Sequence, residues 1–247
     1  MKFIAHRGES LTAPENTMAA FRLAWKLDAV GIEGDFYQLT DGRIACMHDQ
    51  NAKRTAGVDV DICTLDYPAL QKLDAGVWKG PEWKGEKVPL LDDIFAELPA
   101  GCVLYAEVKN EADGIVEDIR DLARRYRIRS EQLIIISFCE SAILRAAEVL
   151  PDSQRFLLTG LQHSPAGFTP SAEELIATLK RIHADGVDCC CIPELDRDYI
   201  GKVKAAGLEF HVWTVDDANT ARRMVACGVD SITSNCADRM RRSVESR

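Results

Sequence analysis

Short apolar runs alternate along this chain with longer stretches in which apolar residues recur every three or four positions. Phe3-Ile4-Ala5 opens the series as a strand. In residues 15–27, Met18, Phe21 and Trp25 fall on one helical stripe and Arg22 and Lys26 off it, with Pro14 at the entry, where a helix tolerates it. Val30-Gly31-Ile32-Glu33 reads as the second strand. Residues 43–47 read as a short extension paired beside it across the Asp41-Gly42 turn. Residues 50–89 break the rhythm with Gly57, Pro68, Gly76, Gly80, Pro81, Gly85 and Pro89, which predicts an insertion with little regular structure, a lid or a small subdomain.

The alternation then resumes. It predicts helices over 91–98, 115–126, 142–149, 172–183, 197–206 and 216–226, with Gly207 and Gly228 as C-terminal caps of the last two. Between them lie strands at 103–107, 133–136, 155–158, 187–192, 209–214 and 229–233, and a loop at 163–170. Residues 133–136 are apolar throughout, as in a strand buried on both faces. A last helical stretch runs into the basic tail, Arg239 to Arg247. Eight strand-and-helix units in 247 residues predict one (β/α)8 TIM barrel over 1–247, with a small insertion after the second strand at about 50–89. The competing doubly wound sheet is disfavoured by the lack of a Gly-rich dinucleotide fingerprint.

Composition narrows the chemistry. Hydrophobic residues make up 47% and charged residues 28%, ordinary for a soluble globular chain. A net charge of −9 argues against broad nucleic-acid binding, which needs excess Lys and Arg, yet leaves room for a small anionic ligand beside a local cation. The nine cysteines are odd in number, and Cys189-Cys190-Cys191 suit neither a disulfide framework nor a zinc site. They predict small buried hydrophobes in a reducing compartment. No leader and no bilayer-spanning run is legible, so the expectation is a cytoplasmic protein without stable membrane insertion. The pattern leaves the oligomeric state open.

In a barrel, reactive groups gather at the C-terminal ends of the strands. Those ends carry His6 and Arg7, then Glu33 and Asp35, then Glu107 and Lys109, and finally Trp213. Glu33 and Asp35, two apart on an extended segment, share one face and repel unless a cation or proton is shared. Alone they read as a solvated face. With Glu107 from the neighbouring strand they make the three-carboxylate set that Mg²⁺ or Ca²⁺ takes. His6 and His48 are the candidate proton carriers for cleaving a phosphodiester, since imidazole titrates near neutrality. Arg7 and Lys109 would hold the phosphate oxygens, Arg7 through its planar fork. Trp213 shares a face with His211 and is either an apolar wall for the substrate or barrel core. His163 and His183 read as ordinary structural residues.

At this point the chain resembles the glycerophosphodiester phosphodiesterase family. The resemblance rests on His6-Arg7-Gly8, Pro14-Glu15-Asn16-Thr17 with Ala20-Phe21, Glu33-x-Asp35, Thr40-Asp41-Gly42, His48-Asp49, Glu107-x-Lys109, Ser137-Phe138 and Trp213-Thr214-Val215. It implies a barrel with a small insertion and a divalent-metal-dependent hydrolase. Such an enzyme converts small-molecule glycerophosphodiesters to sn-glycerol 3-phosphate and an alcohol. It implies metal at Glu33, Asp35 and Glu107, acid and base at His6 and His48 in either order, and phosphate at Arg7 and Lys109. The attacking group is water or the substrate's own glycerol hydroxyl. The chain departs from the family pattern at Gly34, at Phe36-Tyr37-Gln38-Leu39 and at Thr233-Ser234-Asn235, where a threonine is often followed by an acid. These departures are expected to touch head-group preference rather than metal or proton transfer. Two other readings stay open: a lysophospholipase D-like enzyme acting on lipid phosphodiesters, and a non-catalytic barrel that binds metal or glycerol phosphate.

Overall fold

The computed structural model describes residues 1–109 and 114–245. The strands, in chain order, are β1 Lys2–Ala5, β2 Gly31–Gln38, β3 Ile44–Cys46, β4 Val103–Val108, β5 Leu133–Ser137 and β6 Arg155–Thr159, then β7 Gln162–Ser164, β8 Gly167–Thr169, β9 Gly186–Cys190, β10 Glu209–Trp213 and β11 Ser231–Ser234. Eight of them pair in parallel in the order β1-β2-β4-β5-β6-β9-β10-β11, and β11 returns to β1, so the sheet closes. Each barrel strand is followed by a helix against the outer face, from Met18–Lys26 after β1 to Ala237–Glu245 after β11. The predicted (β/α)8 barrel is the fold.

The strand period sorts the side chains into two apolar layers. Tyr105, Ile134, Ile136, Phe156 and Leu158 alternate along β4, β5 and β6 and fill the barrel with Ile4. Their neighbours Leu104, Ala106, Ile135 and Leu157 join the larger core between sheet and helices. That double burial explains why these strands read as continuous apolar runs.

Several elements differ from the sequence reading. The first helix starts at Met18, not Glu15, because Asn16 has a left-handed backbone (φ 55°) and the Thr17 side chain accepts from the Ala20 N–H as N-cap. Strand β2 runs on to Gln38 because Phe36–Gln38 pair antiparallel with β3, so Glu33 and Asp35 lie inside the strand and not just at its end. Residues 163–170 are not a plain loop: β7 and β8 form an exposed hairpin, which carries no apolar alternation to betray it. The insertion is better built than expected. Its short helices, Lys53–Ala56 and Tyr67–Leu70 among them, enclose a core of Ala52, Ile62, Leu70, Leu73 and Val88 that continues into Tyr37, Leu39 and Met47. The last two residues of the basic tail, 246–247, lie outside the described residues. No disulfide joins any of the nine cysteines among the described residues, and no described helix is long and apolar enough to cross a membrane.

Candidate active site

The register of β2 against β4 brings the three acids together. Asp35 lies opposite Glu107, one pleat beyond the Glu33–Tyr105 pair. The carboxylate oxygens of Glu33, Asp35 and Glu107 fall within 4.8 Å of one another, and the three residues are only 3%, 1% and 8% exposed. Gly34 between them is closely packed: a Cβ there would stand 3.2 Å from Cys46 Sγ and 3.3 Å from the Phe21 ring, so these side chains would have to give by a few tenths of an ångström.

Three buried carboxylates repel, and cations offset part of that cost. Lys109 Nζ donates to Glu107 Oε1 at 2.8 Å and stands 3.3 Å from Asp35 Oδ1. Arg7 Nε lies 3.4 Å from Asp35 Oδ2, while the Arg7 backbone N–H donates to Glu33 Oε2 at 2.9 Å. The Asn16 side-chain amide donates to Asp35 Oδ2 at 2.7 Å. Burial would raise Asp35, but Lys109, Arg7 and the Asn16 amide hold it down to about 2. Burial and its acidic neighbours push Glu33 well up, and burial with Asp35 pushes Glu107 up against the pull of Lys109. The donor set therefore fits a hard divalent cation: it is all oxygen, it is buried, and it carries more acid than Arg7 and Lys109 neutralise.

Arg7 itself has a left-handed backbone (φ 57°), and Gly8 follows at φ 81° with its Cα packed on the first helix. A Cβ at Gly8 would sit 2.6 Å from the Ala20 carbonyl carbon, so this turn requires glycine. It aims Arg7 inward, where Nη1 donates to Glu15 Oε1 at 2.9 Å.

The two histidines have different partners. His6 Nδ1 is 2.8 Å from Asn235 Oδ1. The Asn235 amide nitrogen donates to Asp216 Oδ2 at 2.6 Å, which turns the oxygen toward His6. His6 therefore carries its proton on Nδ1 and presents an open lone pair at Nε2, 3.9 Å from Glu33 Oε2. Burial and the adjacent Arg7 charge push its ring down to about 4. His48 Nδ1 instead contacts the Asp49 carboxylate at 2.6 Å. Arg54 ties this side together, donating from Nε to Asp49 Oδ2 at 2.5 Å and from its two terminal nitrogens to Glu15 at 3.0 and 2.7 Å.

The cavity beside these groups has a volume of about 140 Å³. His6, Arg7, Glu33, His48, Glu107 and Lys109 form its polar side. Ile136, Phe138, Leu158 and Trp213 form an apolar side, with Asp188 and Thr233 beside them. Of the residues singled out in the sequence for this site, His6, Arg7, Glu33, His48, Glu107, Lys109 and Trp213 line this cavity, and Asp35 stands with Glu33 and Glu107 in the carboxylate cluster. Trp213 both lines the cavity and packs on the barrel interior, and its ring meets the half-exposed Phe138 edge-on at 5.9 Å. His211 is core, bonded to Glu209 and Ser231 at 2.9 and 2.8 Å.

One expectation fails here. The departures at Thr233-Ser234-Asn235 and around Tyr37 do reach the proton carriers. Asn235 is the direct partner of His6, and the Tyr37 hydroxyl donates to the His48 carbonyl at 3.2 Å. Sequence reasoning also missed Asp188 and Arg54. Asp188 reads as one polar residue in an apolar strand, and Arg54 sits in the insertion with no motif to mark it.

A family model described as the glycerophosphoryl diester phosphodiesterase family matches residues 6–239. The glycerophosphodiester phosphodiesterase of Caldanaerobacter subterraneus subsp. tengcongensis is 30% identical over 243 residues, covering 94% of this chain and 93% of that one. The human lysophospholipase D GDPD1 is 33% identical, but over 51% of this chain and 41% of its own length. Among solved structures, an Oleispira antarctica phosphodiesterase in complex with the product sn-glycerol-3-phosphate superposes with a TM-score of 0.88 at 26% identity, covering 100% of this chain and 97% of that one.

Proposed function

The chain belongs to the glycerophosphoryl diester phosphodiesterase family, and from that premise we propose how it works. It hydrolyses glycerophosphodiesters to sn-glycerol 3-phosphate and an alcohol. The observation that supports this most is the meeting of two histidines, two cations and a buried three-carboxylate cluster from distant parts of the chain, with all but Asp35 lining one small cavity.

Glu33, Asp35 and Glu107 would hold a divalent cation, Mg²⁺ or Ca²⁺ on the all-oxygen character of the donors. When bound, that ion supplies positive charge against the oxygens of the phosphoryl group as negative charge grows on them. Arg7 and Lys109 grip the same phosphoryl group, and Glu15 keeps the guanidinium fork from swinging away. His6 is the base. Its ring is neutral at neutral pH, its Nδ1 proton is committed to Asn235, and its free Nε2 accepts the proton of the attacking hydroxyl. His48 is the acid. Asp49 fixes the ring through Nδ1 and is the counter-ion of a doubly protonated ring, whose Nε2 then protonates the departing alkoxide. Trp213 and Phe138 form the apolar wall against which carbon atoms of the substrate rest.

The test is enzymatic release of sn-glycerol 3-phosphate from glycerophosphocholine, glycerophosphoethanolamine, glycerophosphoglycerol and lysolipids, each with and without chelator. Turnover of the water-soluble diesters, abolished by chelator and restored by Mg²⁺ or Ca²⁺, is the expected result. Turnover of lysolipids alone would move the assignment to a lysophospholipase D, and no turnover would leave a binding barrel.

A further inference from the structure

Asp188 is used by no step above, yet it is built into the same cavity. It lies on β9, which stands four strands from β2 in either direction around the eight-stranded barrel. It therefore faces Glu33 and Asp35 from the opposite wall. Its side chain is 2% exposed, and Oδ1 has no hydrogen-bond partner. Thr233 on β11 repeats the pattern: it lines the cavity, is 2% exposed, and its Oγ1 is also without a partner. Between them stands β10, whose Trp213 Nε1 donates to the Asp188 backbone carbonyl at 3.1 Å and not to its carboxyl.

Burying such oxygens unpaired costs free energy that a ligand can recover. The ligand is not an anion, because Asp188 is an acceptor when ionised and the phosphate already has Arg7 and Lys109 across the cavity. It is small, because about 140 Å³ is well below the roughly 300–1,000 Å³ of a pocket for a drug-sized molecule. An aliphatic hydroxyl meets every condition: it donates to Asp188, exchanges a hydrogen bond with Thr233, and rests its carbons on Trp213 and Leu158. We propose that Asp188, with Thr233, is the hydroxyl-recognition site that selects the glycerol half of the substrate. This rests on the reaction proposed above.

The experiment measures binding by calorimetry to the Mg²⁺- or Ca²⁺-loaded protein, wild type, Asp188→Ala, Asp188→Asn and Thr233→Val. The probes are sn-glycerol 3-phosphate, methyl phosphate and phosphocholine, which share the phosphate and differ in what hangs from it. A site built to bond hydroxyls discriminates strongly against analogues that lack them. Wild type is expected to prefer sn-glycerol 3-phosphate over methyl phosphate by ~100-fold, and Asp188→Ala to lose most of that preference, with methyl phosphate weakened less than ~3-fold. Thr233→Val is expected to lose ~10-fold of the same preference. Equal weakening of both ligands would overturn the proposal. So would a loss confined to phosphocholine, which would mark an ammonium site against the aromatic pair. Asp188→Asn keeps the shape of the side chain, so a preference lost in Asn and Ala alike, with unchanged melting of Asn, separates recognition from misfolding. A wild type that turns over no glycerol diester would remove the function proposed above. Normal wild-type turnover with an unaltered ligand preference in the variants would overturn the Asp188 assignment alone.

Discussion

Replacing Arg54 by Met tests whether the insertion positions the chemistry. The substitution keeps the apolar stem and removes the guanidinium, which spans Asp49, the partner of His48, and Glu15, the partner of Arg7. The Arg54 side chain is 43% exposed, so its pairs are discounted toward the ~0.2–1 kcal/mol of surface ion pairs rather than the ~1.5–3 of a buried charged hydrogen bond. Two pairs then contribute about 0.4–2 kcal/mol near pH 7, or roughly 1–8 °C in Tm for a domain of this size. The pH dependence has a definite sign. Burial would raise Glu15, but Arg54 and Arg7 hold it below the usual carboxylate range, and Arg54 above all holds Asp49 below it. Stability from depressed carboxylates is full above their ordinary pKa and is lost as pH falls through the lowered one. The gap in Tm between wild type and Arg54→Met is therefore widest near neutrality and closes below about pH 4. Because His48 also loses its fixed orientation, kcat is expected to fall about tenfold. Thermal melts across pH and steady-state kinetics on glycerophosphocholine check both. A gap that is the same at pH 7 and at pH 3, or a normal kcat in the destabilised variant, would refute the reasoning.

Other outcomes follow from the same geometry. His6→Ala and His48→Ala are each expected to lose ~10²–10⁴-fold or more in kcat while melting and calorimetric metal binding stay near wild type; full turnover in both would remove them as proton carriers. Glu33→Gln is expected to weaken Mg²⁺ or Ca²⁺ binding, and an unaltered isotherm would exclude it as a ligand. Gly8→Ala is expected to destabilise the fold by more than ~1 kcal/mol in denaturant melts, since it adds a Cβ 2.6 Å from the Ala20 backbone at a positive φ; wild-type stability would show that the turn relaxes freely.

Much of this protein is legible in its sequence. Strands buried on both faces must be apolar throughout, and helices on a barrel must carry one apolar stripe, so the alternation of runs such as Leu133–Ser137 with Ile115–Tyr126 announces the fold locally. The acids, histidines and cations of the site stand in short motifs on or just after strands, and the barrel rule brings most of them to one rim. The exposed β7–β8 hairpin escaped because its local pairing carries no apolar alternation, and the folded insertion because its core is shared with Tyr37, Leu39 and Met47 rather than marked by periodicity.

What only the tertiary structure decided is what each of these groups touches. Asn235 stands 229 residues from His6, and it is this contact that leaves the histidine with its proton on Nδ1 and Nε2 open. Arg54 joins Glu15 to Asp49 across 39 residues on one side and 5 on the other. Asp188 becomes a candidate recognition group only because closure of the sheet sets β9 across from β2. Residue types and spacing prescribe backbone conformation, which is local. Proton location and the cost of an unpaired buried oxygen depend on neighbours that the chain brings together only when the barrel closes.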